Sequence, residues 1–112
     1  MRPDLPVQRQ LDAYNARDLE AFLAQYSPQI RLYRPPAADP VMAGLEALGA
    51  FHATQRFHLP QLKAELLNRM VLGNKVIDHE RVSGIRAAPF EVAVVYEVKD
   101  ELIEATWTYV AA

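Results

Sequence analysis

Asn68, His79, Arg81 and Tyr96 are the side chains of this sequence whose types could do chemistry together. Gly73-Asn74 separates two alternating runs and reads as a two-residue hairpin turn. Such a turn sets Asn68 beside His79 and Leu66 beside Arg81, and cross-strand partners share a face. His79, Arg81 and Ser83 then lie on the apolar face of Leu62, Leu66 and Met70. The loop from Arg86 to Pro89 brings His79 near Tyr96 and Arg81 near Val94. A neutral histidine can move a proton near pH 7, and an arginine can hold a carboxylate or a developing oxyanion. His79 and Arg81 are therefore the catalytic candidates. A one-residue slip would send both to solvent and put Asp78 and Glu80 inside. The bland alternative is a His–Tyr–Asn network that only satisfies its own hydrogen bonds.

Other groups weigh less. His52 and His58 flank the end of a helix, and three scattered histidines do not make a metal face. Nothing points to a cofactor. Asp78-His79-Glu80-Arg81 cannot act as one cluster, because alternation sends neighbours to opposite faces. Asn15 and Asp18 read as helix punctuation. Arg34 either points into the cavity or out to water.

Three helices and five strands must position these groups. Asp4 can cap a first helix bearing Val7, Leu11 and Tyr14 on one stripe. Asp18 can cap a second helix, with Leu19, Phe22, Leu23 and Tyr26, which Ser27-Pro28 ends. Ile30 to Arg34 is a short strand stopped by Pro35-Pro36. A third helix runs from Gly44 and closes before Pro60. Four strands follow, from Leu62 to Leu72, Val76 to Ile85, Phe90 to Val98 and Leu102 to Val110. The order predicts an α+β fold: three N-terminal helices on a mainly antiparallel sheet.

At 112 residues the chain makes one domain, residues 1–112, with a small core. A net charge of −2 without a basic run argues against nucleic acid or a membrane surface as partner. The absence of cysteine excludes disulfides and thiolate chemistry. With no secretory or spanning segment legible, the expected location is cytoplasmic.

Tyr14-Asn15-Ala16-Arg17-Asp18-Leu19-Glu20-Ala21-Phe22, the Gly44-to-Phe57 helix, Val76 to Gly84, and Tyr96 to Ile103 together resemble the SnoaL-like, nuclear-transport-factor-2-like superfamily. The resemblance covers nearly the whole chain. It implies a cone-shaped α+β half-barrel, in which a strongly curved sheet and helices enclose a pocket, often in a dimer. Ketosteroid isomerase, limonene epoxide hydrolase and polyketide cyclases belong to that superfamily, so fold leaves function open. The isomerase's three catalytic positions correspond here to Gln10, Arg34 and Val94, and none keeps the chemistry. The epoxide hydrolase's arginine corresponds to Arg81, but its two aspartates correspond to Ser83 and Thr108. The resulting ligand-binding candidates are Tyr14, Arg34, Asn68, Ser83, Val94, Tyr96 and Thr108.

The last strand has two possible faces. A two-residue turn before it pairs Trp107 with Val94 inside. A three-residue turn pairs Thr106 with Val94 and sends Trp107 outward. The resemblance favours the second. Ala93, Val95, Ala105, Trp107 and Tyr109 then form an apolar patch suited to a homodimer. The expected function is binding of a small apolar ligand, with proton transfer or hydration as the possible chemistry. A non-catalytic binding or association domain is the alternative.

Overall fold

A computed structural model describes residues 2–112. The element order is α1 (Asp4–Ala16), α2 (Leu19–Leu23), β1 (Tyr26–Tyr33), β2 (Met42–Ala43), α3 (Leu45–Gln55), β3 (Lys63–Leu72), β4 (Lys75–Ser83), β5 (Phe90–Lys99) and β6 (Leu102–Val110). Three helices pack on one curved, unclosed sheet of order β2-β1-β6-β5-β4-β3, as expected for the fold class. Among the described residues only the β1–β6 pairing is parallel.

The helix ends differ in their chemistry. Asp18 caps α2, its carboxylate accepting from the Ala21 N–H at 3.1 Å. Asp4 is not a cap: it is the first residue within α1 and pairs with Arg2. Asn15 and Arg17 do more than punctuate. The Asn15 amide donates to the Ala64 carbonyl at 2.9 Å and accepts from its N–H at 2.8 Å. The Arg17 guanidinium donates to the carbonyls of Leu59, Pro60 and Leu62. Together they fasten the end of α1 to the start of β3. Ser27-Pro28 does not end α2. Both residues lie inside β1, whose unpaired early stretch tolerates a proline that cannot donate to a ladder.

The sheet register shifts in three strand pairs, β1–β6 between Tyr26 and Arg31, β3–β4 and β5–β6. In the β3–β4 hairpin Asn68 does pair with His79, but Leu66 pairs with Glu80 and Glu65 with Arg81. Leu67 is the extra residue. Ala64 is buried on the concave face before the bulge, and Arg69 turns inward after it. In the β4–β5 ladder Val76 faces Tyr96, Asp78 faces Val94 and Glu80 faces Val92. The slipped register therefore holds: Val76, Asp78, Glu80 and Val82 are buried, and His79 and Arg81 are exposed. In the last hairpin Lys99 pairs with Leu102, so the turn has two residues. A bulge at Glu104 then sets Trp107 opposite Val95 and Thr108 opposite Val94. Trp107 faces outward, by the bulge and not by a longer turn.

The core lies between the helices and the concave face. Val7, Phe22, Ile30, Leu48, Val98 and Ile103 are each no more than 2 % exposed. No helix among the described residues is long and apolar enough to cross a membrane.

Candidate small-molecule site

Beneath the helices the concave face encloses a cavity of about 320 Å³. Leu11, Phe22, Leu48, Val92, Val94 and Val110 contribute to an apolar wall. An apolar wall with convergent polar groups is the ordinary make-up of a small-molecule site.

The polar groups come from different elements. Gln10 of α1, whose side chain lies on the buried stripe, joins two tyrosines. The Tyr26 hydroxyl donates to Gln10 Oε1 at 3.0 Å, and Gln10 Nε2 donates to the Tyr96 hydroxyl at 3.1 Å. Tyr96 is thereby left with its own O–H to donate. Burial pushes both phenols far above their ordinary pKa, so both stay protonated. Tyr14 is pushed up to about 12, chiefly by burial. It meets the ring of Phe57 edge-on at 5.7 Å.

Glu80 is the one carboxyl in the cavity wall. It is 5 % exposed, and its Oε2 has no hydrogen-bond partner among the described residues. Its pKa is pushed up to about 7, first by burial and then by the charge of Asp78, against the opposing pull of Arg69. Asp78, two residues earlier on the same face, is engaged by Arg69 through two hydrogen bonds. Neighbouring acids on one strand face thus have different surroundings: among the described residues, Asp78 is paired with a cation and Glu80 is not.

His52 lies on the wall at the α3 end. Its Nδ1 is 2.9 Å from the Leu48 carbonyl, which can only accept, so Nδ1 carries the proton. Burial holds the imidazole below its usual pKa, and the neutral ring keeps Nε2 as an acceptor. The sequence signal for His52 was its place four residues after Leu48, on the stripe that α3 buries. Glu80 could have been found only through the slipped register.

The candidates sort as follows. Tyr14, Arg34, Val94, Tyr96 and Thr108 line the cavity. His79, Arg81 and Asn68 do not, and their expected inward placement is corrected. All three are exposed on the outer face, where His79 pairs with Glu91 and Arg81 with Glu65. Ser83 is half-buried near Gln61 and Gly84, away from the cavity wall. The bulge at Leu67 and the β4–β5 register explain the reversal. Among the described residues, no group of His, Asp and Glu side chains is placed to hold a metal ion.

A SnoaL-like domain profile matches residues 7–106. No curated protein matches the chain. Among solved structures, an uncharacterised cystatin-fold protein from Novosphingobium aromaticivorans superposes with a TM-score of 0.88 at 21% identity, covering 97% of this chain and 98% of the other. A candidate polyketide cyclase from Sinorhizobium meliloti gives 0.78 at 21% identity, over 97% and 99% of the two chains. A candidate ketosteroid isomerase from Kribbella flavida gives 0.84 at 14% identity, over 99% and 78%. At these identities the likeness is one of fold.

Proposed function

The chain belongs to the SnoaL-like domain family, and from that premise we propose that its cavity takes a small, largely apolar molecule with which Glu80 exchanges a proton. One observation carries this: a carboxyl 5 % exposed, in the cavity wall, with an oxygen that no described residue engages. Buried polar atoms are nearly always partnered. An orphan at a cavity surface is a place for a ligand's hydrogen. With a pKa of about 7, both forms of Glu80 are populated near neutrality, which suits a general base that later returns the proton. The carboxylate takes a proton from a carbon next to a carbonyl, and the electron pair moves onto the carbonyl oxygen. The Tyr96 O–H supplies a hydrogen bond to that oxygen. Reprotonation at carbon completes the cycle.

The test uses 2-tetralone, a small apolar ketone, in deuterated buffer. NMR should show loss of its α-protons faster with protein than in buffer alone, rising with pH through about 7. Glu80→Gln should abolish the acceleration. Equal exchange with and without protein, or an active Gln variant, overturns the proposal.

We also propose that a second copy covers the outer sheet face. Trp107 stacks on Tyr33 there, with ring centroids 5.4 Å apart and planes 9° apart, and Tyr109 is 49% exposed. Ala93 and Val95 sit opposite Tyr109 and Trp107, whereas Ala105 is already buried within the chain. The flanking charges are paired internally, His79 with Glu91, Arg81 with Glu65 and Lys75 with Glu97, so two identical faces meet without repulsion. Sedimentation at micromolar concentration should give twice the 12.6 kDa chain mass, and Trp107→Glu should halve it. A wild-type monomer would refute the dimer.

A further inference from the structure

Building on the cavity as a ligand site, we propose that the ligand is an amphipathic carboxylate, its apolar body in the cavity and its anionic end held at the mouth by Arg34, Arg56 and Arg86. All three arginines line the cavity, and they come from separate segments. Arg34 follows β1, Arg56 closes α3, and Arg86 lies in the loop after β4. Among the lining residues only Arg34 and Arg86 are exposed, which places arginine at the opening.

None of the three is in an ion pair among the described residues. The cations that do pair are Arg2, Arg69, Lys75, His79 and Arg81. Aromatic rings hold two of the three instead. The Arg56 guanidinium lies 4.7 Å from the Phe51 centroid, and that of Arg86 lies 4.0 Å from the Phe90 centroid. Stacking of this kind fixes the plane of a guanidinium. One Arg56 N–H donates to the Gln55 carbonyl at 2.9 Å, and its remaining N–H groups are left to meet an anion.

Charge distribution sharpens the point. The chain carries 12 Lys and Arg against 14 Asp and Glu, yet the cavity wall holds three arginines and one carboxyl. That carboxyl is Glu80, buried and half-protonated near neutrality. An acidic protein thus has a cationic opening into an apolar chamber. Like charges lining one cavity repel each other, and an anion relieves that repulsion. Arginine's planar fork matches a carboxylate's two oxygens, which a compact ammonium would not do as well.

The test compares 2-naphthoate with its neutral partner 2-naphthamide by titration calorimetry at low salt. Naphthoate should bind about ten-fold tighter or more, as expected for charge-assisted hydrogen bonds. Replacing all three residues together (Arg34→Gln, Arg56→Gln, Arg86→Gln) should reduce that preference to about two-fold or less, with naphthoate losing more affinity than naphthamide. An unchanged urea midpoint for the variant verifies its fold. Equal binding of the two probes to wild type, a preference that survives the triple substitution, or binding of neither probe would overturn the inference. The proton-exchange proposal is judged separately by the tetralone experiment, which reads Glu80 and not the three arginines.

Discussion

Arg69 and Asp78 face each other across β3 and β4, and the guanidinium donates to both carboxylate oxygens, at 2.7 Å from Nε and 2.9 Å from Nη2. Asp78 is fully buried, and the third contact of Arg69 reaches Gln8 of α1 at 2.8 Å. The pair ties the sheet to the first helix. Arg69→Met would leave the Asp78 charge buried and alone, which costs about 3–5 kcal/mol. Joint replacement with Asp78→Leu should recover most of it. Urea unfolding at pH 7 decides: a single-variant loss below about 1 kcal/mol would contradict a buried ion pair in this role.

Glu80 makes stability depend on pH. Its folded pKa of about 7 lies above its ordinary value of 4.5, so the folded state binds more protons than the unfolded state between those limits. Stability contributed by this group is present below pH 4.5 and is lost as pH rises towards 7. Glu80→Gln removes the dependence. The variant should gain stability relative to wild type as pH rises from 5 to 8, by on the order of 2–3 kcal/mol. Denaturant midpoints at several pH values check this, and parallel curves for the two proteins would show that Glu80 has no raised pKa.

Those two acids also explain where the sequence was legible. The first and third helices end at Arg17 and Gln55 much as caps and stripes predict, and the four later strands fall where alternation does, whereas β1 starts earlier than Ile30 and β2 lies in a stretch that reads as loop. Tyr14, Tyr96 and Val94 could be placed in the cavity because apolar and aromatic side chains favour the buried face. The parity of β4 could not be read. On polarity alone, Asp78 and Glu80 inside is no better than His79 and Arg81 inside. The choice depends on the bulge at Leu67, which turns Arg69 inward to neutralise Asp78, and on Glu80 being able to hold a proton. A bulge of one residue leaves no periodic trace in a strand this short. Likewise the arginine mouth assembles from three segments distant in sequence, which no local pattern reveals.

Gly84 has φ +90°, and a Cβ there would sit 2.3 Å from the backbone carbonyl of Gln61 and 2.5 Å from Leu62 N. Backbone cannot yield as a side chain can. Gly73 has φ +60° with open space around it. Gly84→Ala should therefore cost at least about 3 kcal/mol, strain plus collision, and Gly73→Ala only about 1 kcal/mol. Thermal melts of the two variants separate the effects, and equal losses would mean that the close approach to Gln61 carries no cost.

Asp100 and Glu101 form the β5–β6 turn, both with positive φ, at 52° and 65°. Positive φ at both central residues marks the hairpin turn whose twist matches the flanking strands. Its usual second residue is glycine. Glu101 holds that conformation against the clash of its own Cβ, at about 1–2 kcal/mol. Glu101→Gly removes the clash but raises the entropy of the unfolded chain by roughly 0.5–1 kcal/mol. The net expectation is a gain of up to about 1 kcal/mol. Glu101→Val should move the other way, because a β-branched side chain tolerates positive φ least. Neither substitution touches the bulge at Glu104, so Trp107 should stay on the outer face and its fluorescence maximum should not move. A stabilised Val variant, or an emission shift in the Gly variant, would mean that the turn and not the bulge sets the register of the last strand.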